Sequence, residues 1–212
     1  MSELIQQVKE AVVLRKVKEI ESLVRGAIDA GESLEELMND GLIAAMDVVG
    51  KQFGSGAIFV PEMLVSAMTM KKGLEVVKPL LSGQAASDRG LIIMATVKGD
   101  LHDIGKNIVS MMLEGAGFRV VDLGVDQTVE TLVAKVVELQ PRVVGLSALL
   151  TTTMPEMRKV LEALTEKGLR GSVKVMVGGA PVDERFAQQI GADGYAADAA
   201  QAVDLARALV AN

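Results

Sequence analysis

Near residue 90 the hydrophobic period of the chain changes, and with it the kind of structure each part can form. Before that point apolar residues recur at helical spacing: Val17, Ile20, Val24, Ala27 and Ile28 share one face, with Lys, Glu and Arg between them. Gly31 predicts the end of that helix, and Ser33 followed by Glu36 has capping-box spacing for the next. Leu34 and Leu37 are assigned to a short helix and Leu42 to Phe53 to a further one, after which Gly54-Ser55-Gly56 breaks the chain. Pro61 stands near the start of a long helix through Leu64, Met68, Leu74 and Val77, where its missing N–H would have had no partner anyway. Residues 1–81 therefore predict four main helices in an antiparallel bundle. Residues 82–89 carry no apolar pattern and predict a linker.

From residue 90 to 212 short apolar runs alternate with helical stretches. Leu91-Ile92-Ile93-Met94-Ala95 is continuous rather than alternating, as expected of a strand buried on both faces. Further runs follow at Arg119–Leu123, Val143–Leu149 and Val173–Val177, with a weak one at Gly194–Ala197. Ile104–Glu114, Val129–Leu139, Met154–Lys167, Glu184–Ile190 and Ala199–Val210 read as the intervening helices. Strand–helix alternation of this kind implies an α/β domain with a five-stranded parallel sheet, flavodoxin-like (Rossmann-type) in order 2-1-3-4-5.

Composition narrows the function. The chain of 212 residues has a net charge of −6 with the signs interspersed, which offers no basic stripe for nucleic acid. It has no Cys, so disulfides, thiolate metal sites and Cys nucleophiles are excluded. The first residues lack the pattern of a signal peptide, and no apolar run approaches the ~20 residues of a membrane span. A cytoplasmic protein with no membrane partner is expected. There is a single histidine, so all imidazole chemistry belongs to His102.

In the order 2-1-3-4-5, the ends of the first and third strands form the crevice where open α/β sheets bind ligands. The first strand leads into Lys98-Gly99-Asp100-Leu101-His102-Asp103-Ile104-Gly105, and the third into Ser147-Ala148-Leu149-Leu150-Thr151-Thr152-Thr153. Asp100 stands two residues from His102 and can accept a hydrogen bond from one imidazole nitrogen, leaving the other free as a neutral ligand. Glycines at 99 and 105 admit something bulky close to the backbone, and Gly178-Gly179 would open space on the same rim. Each piece has a plainer reading. His102 can be a surface residue, Asp100, His102 and Asp103 can bind a divalent ion, Gly178-Gly179 can be a tight turn, and the threonines can cap the helix near Met154.

Together the pieces resemble the signature of cobalamin-binding proteins. Asp100-Leu101-His102-Asp103-Ile104-Gly105 matches its D-x-H-x-x-G, Ser147-Ala148-Leu149 its S-x-L, and Gly178-Gly179 its G-G. The segments Asp47–Phe53 and Phe59–Leu64 are similar to the helical cap of the corrinoid proteins that serve methanol, methylamine and aryl methyl ether methyltransferases, and the α/β part is similar to the cobalamin module of methionine synthase.

That resemblance implies cobalamin as cofactor, with methylcobalamin and cob(I)alamin as its working forms. His102 would replace the cofactor's own benzimidazole beneath cobalt, Asp100 would hydrogen-bond it, and Thr153 would extend the relay where methionine synthase has Ser. Asp103 and Ile104 belong to the same loop. Ser147 and Thr151 would contact the displaced nucleotide tail, Leu149 would bind the cofactor as part of the S-x-L, and Gly105, Gly178 and Gly179 would line the slot of the tail. Phe59, Met63 and Leu64 are candidates to cover the upper, methyl-bearing face. The implied role is a carrier subunit. A substrate-specific methyltransferase would donate the methyl group, a second would pass it to an acceptor such as tetrahydrofolate or a thiol, and a reductive activating protein would restore the cofactor. Demethylation of methyl ethers is the preferred system. The alternatives are an adenosylcobalamin mutase subunit, a cobalamin-dependent regulatory sensor and a flavodoxin-like interaction domain without cofactor. A mutase needs a catalytic barrel and a sensor a DNA-binding module, and the sequence displays neither.

Overall fold

The structure, a computed structural model, describes residues 2–80 and 89–211. The chain divides into two compact units, Met1–Asp88 with Glu114–Gly117, and Arg89–Leu113 with Phe118–Asn212. The linker expected over residues 82–89 lies, Arg89 apart, outside the described residues.

The first unit is helical. It comprises α1 (Glu3–Val13), α2 (Ile20–Asp29), α3 (Leu34–Glu36), a π-helical segment (Leu37–Ile43), α4 (Ala44–Gly54) and α5 (Val60–Val77), ending in a 3-10 turn (Lys78–Leu80). Ser2 caps α1 by accepting from the Ile5 N–H, and Ser33 caps α3 by accepting from the Glu36 N–H. Ile5, Val8, Ala11 and Val12 form the buried stripe of α1. Two helices expected at Leu34–Leu37 and Leu42–Phe53 are in fact one rod, because the π-helical turn carries the chain from α3 into α4 without a break. Gly41 does not interrupt it. A Cβ there would meet Val8 and Ile5 of α1 at ordinary van der Waals distance, 3.4 Å from Val8 Cγ1. With that correction four rods remain: α1 packs on α2 and α4, and α5 packs on the same two.

The second unit holds β1 (Leu91–Thr96), α6 (Ile104–Gly115), β2 (Arg119–Asp122), α7 (Val129–Leu139), β3 (Val143–Ser147), α8 (Met154–Glu166), β4 (Lys174–Gly178), α9 (Glu184–Ile190), β5 (Gly194–Tyr195) and α10 (Ala199–Ala211). All strand pairs are parallel and the order is β2-β1-β3-β4-β5, as expected. The weak run at Gly194–Ala197 contributes only a two-residue strand.

Side chains alternate across this sheet. Ile93, Ala95, Val97, Val144, Leu146, Ala148, Val175 and Val177 share one core with α7, α8 and α9. The opposite face carries rows set by the register: Met94 beside Gly145 beside Met176, then Thr96 beside Ser147 beside Gly178. At the carboxyl end of the central strands that face is thus built of small and polar residues. This is where an open α/β sheet receives a ligand.

Candidate functional site

β1 ends at Thr96, and the chain then turns through Gly99, whose φ of +79° suits glycine, to reach Asp100 and His102. Asp100 is wholly buried, yet both its oxygens are occupied. Oδ1 accepts from the His102 backbone N–H at 3.1 Å and faces the His102 Nδ1 at 3.0 Å. Oδ2 accepts from the Leu149 N–H at 2.8 Å, the Leu150 N–H at 3.3 Å and the Thr153 hydroxyl at 2.7 Å. One carboxylate therefore ties the loop after β1 to the loop after β3, across the topological switch point.

Burial alone pushes the Asp100 carboxyl up. The bonds from the Leu149 N–H, the Thr153 hydroxyl and the backbone and ring of His102 outweigh it and hold the group well below the usual carboxylate range. An ionised Asp100 can only accept, so the facing Nδ1 donates and the lone pair resides on Nε2. The His102 side chain is 55% exposed, so Nε2 can reach an incoming metal. Its loop is further held by the buried Thr96, whose hydroxyl donates to the His102 carbonyl at 2.9 Å.

Thr153 occupies the N-cap position of α8, but its side chain makes no capping bond there. The hydroxyl is 2.7 Å from Asp100 Oδ2 and 2.9 Å from the Leu150 carbonyl, so a single proton faces two acceptors. The plain reading of this threonine as a helix cap is thereby set aside. Asp103 precedes α6, and its Oδ2 accepts from Asn107 Nδ2 at 3.0 Å, which gives it a local structural task.

The remaining expected residues fall around this centre. Ile104 and Leu149 expose much of their side chains, as do Leu101 and Leu150, which the motif did not single out. Ser147 is half-buried, Thr151 is exposed, and a Cβ on Gly105 would meet nothing within 4 Å. Gly179, at φ +125°, brings its Cα so close to β3 that a Cβ would sit 1.9 Å from the Ala148 carbonyl oxygen. In the helical unit Phe59 is 71% exposed and Leu64 half-buried, whereas Met63 is fully buried.

Comparison with known proteins decides the family. Residues 90–204 match a family described as a B12 binding domain, and residues 4–78 match a second family with the same description. Dimethylamine corrinoid protein 1 of Methanosarcina acetivorans is 44% identical over 213 residues, covering 99% of this chain and 98% of that protein. The chain belongs to the B12-binding corrinoid proteins, the methyl carriers of methyltransferase systems. Cobalamin is its cofactor. Trimethylamine corrinoid protein 2 of Methanosarcina mazei is 48% identical over 179 residues, with 84% of this chain and 82% of that one covered. Among solved structures, the methanol:cobalamin methyltransferase complex of Methanosarcina barkeri superposes with a TM-score of 0.89 at 34% identity, covering 100% of this chain and 81% of that one.

The α/β unit suits such a cofactor on the chemistry of its donors and on shape. As a corrinoid protein it presents an imidazole whose Nδ1 faces a carboxylate, exposed apolar side chains beside it, and open space over Gly105. Among the described residues no cluster of His, Cys, Asp and Glu could hold a metal ion without help, which disfavours the divalent-ion reading of Asp100, His102 and Asp103. No described helix is long and apolar enough to cross a membrane.

Proposed function

We propose that this corrinoid protein is a cytoplasmic carrier that binds cobalamin with the benzimidazole displaced and with His102 Nε2 as the lower axial ligand. The observation that carries the reading is the exposed imidazole whose Nδ1 is locked 3.0 Å from a buried, ionised carboxylate. When bound, cobalamin supplies the cobalt that accepts a methyl group from one partner enzyme and yields it to another.

The chain's own residues hold and tune that ligand. Asp100 accepts from Nδ1 and so leaves the Nε2 lone pair directed at the metal. Thr153 supports the opposite oxygen, and its hydroxyl also faces the Leu150 carbonyl. Ser147, Leu149 and Thr151, with Gly105, Gly178 and Gly179, are assigned to the nucleotide tail, and Ile104 to the rim around the corrin. Residues 1–81 are assigned to a cap domain and 90–212 to the cobalamin domain, with the linker between them.

The partners are a donor methyltransferase, an acceptor methyltransferase acting on tetrahydrofolate or a thiol, and a reductive activating protein. The names of the relatives at 44% and 48% identity move the donor from a methyl ether to a methylated amine. Methyl transfer to the cobalamin-loaded protein, tested with an amine-specific and an ether-specific methyltransferase, separates the two; transfer only from the ether would overturn the amine assignment.

Electron paramagnetic resonance of the Co(II) protein tests the ligand. With cobalamin carrying nitrogen-15 in its benzimidazole, His102 gives a nitrogen-14 triplet, and His102→Ala loses it. A doublet in the unmutated protein would refute His102 ligation.

Gly105 provides a second test. It lies in the first turn of α6, where replacement by Ala removes helix-breaking flexibility and meets no neighbour. Gly105→Ala is expected to raise the stability of the cofactor-free protein by up to ~1 kcal/mol. The same methyl should weaken cobalamin binding about tenfold or more through overpacking against the tail. Binding that stays unchanged, measured by spectrophotometric titration, would remove Gly105 from the slot.

A further inference from the structure

The loop that carries His102 is held at both ends by a segment that the ligand motif does not include. At its entry, the Gly99 N–H donates to Asp126 Oδ1 at 2.7 Å, and the Asp126 N–H donates back to the Asp100 carbonyl at 3.0 Å. Asp126 adopts φ +52°, a left-handed conformation that Asp and Asn tolerate better than most residues. Its backbone is thereby turned so that donor and acceptor both meet the strand-end loop. At the exit, Lys106 in the first turn of α6 has a side chain only 1% exposed, and its ammonium pairs with Asp122 at the end of β2. The same ammonium donates to Asn107 Oδ1 at 2.8 Å, and Asn107 in turn donates to Asp103, the neighbour of His102. Asp122 is itself oriented by the Gly124 N–H at 2.8 Å.

A buried cation at a helix N-terminus opposes the helix dipole and is costly unless paired. Its presence four residues after His102 therefore calls for a reason. The segment Asp122–Gln127 also pairs with β1 directly: the Leu123 N–H donates to Met94, the Gln127 N–H to Thr96, and the Thr96 N–H to Gly124. It is thus a fixed support rather than a free loop.

We infer that Asp126 and the Asp122–Lys106 pair are positioning residues that clamp the His102 loop at its two ends, so that the imidazole is presented to cobalt in one place. Asp126 acts through the loop backbone, and Asp122 through the Lys106 ammonium and Asn107 to Asp103. The inference rests on His102 being the cobalt ligand. Clamping keeps the ligand preorganised: a loop that wanders dilutes the productive position and weakens ligation without removing the ligand.

The test is displacement of His102 by free imidazole in the Co(II) protein, with nitrogen-15 in both the added imidazole and the cofactor's benzimidazole. Any nitrogen-14 triplet then reports protein ligation alone. In Asp126→Ala, which removes the acceptor for Gly99, half-displacement is expected at about fivefold lower imidazole, the worth of one ordinary hydrogen bond. Asp126→Asn keeps an acceptor oxygen and tolerates the left-handed backbone, so it should behave as the unmutated protein. Lys106→Met, which removes the buried cation and its bonds to Asp122 and Asn107, should shift in the same direction as Asp126→Ala. Cobalamin should remain bound in all three. Unshifted displacement in both Asp126→Ala and Lys106→Met would overturn the clamp, as would an equal shift in Asp126→Ala and Asp126→Asn. Absence of the triplet in the unmutated protein would instead overturn His102 ligation itself.

Discussion

Asp100→Asn should lose about 3 kcal/mol of stability in the cofactor-free protein at neutral pH and forfeit the fixed tautomer of His102. The carboxylate accepts from three backbone N–H groups, those of His102, Leu149 and Leu150, and from the Thr153 hydroxyl. An amide has one acceptor oxygen, so its NH2 group must face either the Oδ1 or the Oδ2 donors, where each stranded buried donor costs about 1–3 kcal/mol. If the amide nitrogen faces Nδ1, the imidazole proton shifts to Nε2 and the metal-binding lone pair is lost. Chemical denaturation reads the first effect, and loss of the nitrogen-14 triplet in the Co(II) protein reads the second. An Asn variant with unaltered stability would mean that Asp100 is not the hub described here.

The pH dependence gives the same prediction a sign. Asp100 is held below its unfolded value, which is about 3.9, so its charge stabilises the fold fully above that pH. The contribution is lost as pH falls below the unfolded value and towards the folded one. The stability gap between the unmutated protein and Asp100→Asn should therefore be widest near neutrality and close progressively below about pH 4. A gap independent of pH would show that the loss comes from shape rather than charge.

What the sequence reveals of this site follows from how local each signal is. Strands buried on both faces read as continuous apolar runs, so β1, β3 and β4 were visible within a residue or two, and their order placed His102 and Thr153 on one crevice. Asp100 was legible because its partner His102 is two residues away. The bonds to Leu149 and Leu150 were not, since nothing in a single sequence links position 100 to the loop after β3. Asp122, Asp126 and Lys106 escaped notice for a related reason: charged residues near helix ends and turns look like solvated surface. Only the tertiary pairing of residue 99 with 126 and 106 with 122 gives them a task. The π-helical turn was invisible because one extra residue in a turn hardly disturbs an apolar stripe. Apolar residues at helical spacing, Phe59, Met63 and Leu64 among them, look alike in sequence whether they fill a core or face a ligand.

Gly179→Ala should be the most damaging conservative change in the crevice, costing about 3–4 kcal/mol and abolishing cobalamin binding. Two penalties coincide at this residue. Its φ of +125° lies where L-residues pay about 1–3 kcal/mol in strain. The added Cβ would also lie 1.9 Å from the Ala148 carbonyl oxygen and 2.8 Å from its carbon, a clash with backbone that no rotamer change relieves. The end of β3 must therefore move, and Ala148 precedes Leu149, whose N–H is the 2.8 Å partner of Asp100. A shift there loosens the carboxylate that orients His102, so damage at the glycine should appear as weaker imidazole ligation as well as lower stability. Gly178→Ala supplies the control. Its Cβ would come 3.1 Å from the Ala196 carbonyl oxygen, a contact relieved by a few tenths of an ångström at the edge strand β5. Chemical denaturation and cobalamin titration of the two variants should rank Gly179→Ala well below Gly178→Ala. Equal losses would mean that the close approach of Gly179 to β3 is not what keeps the crevice in shape.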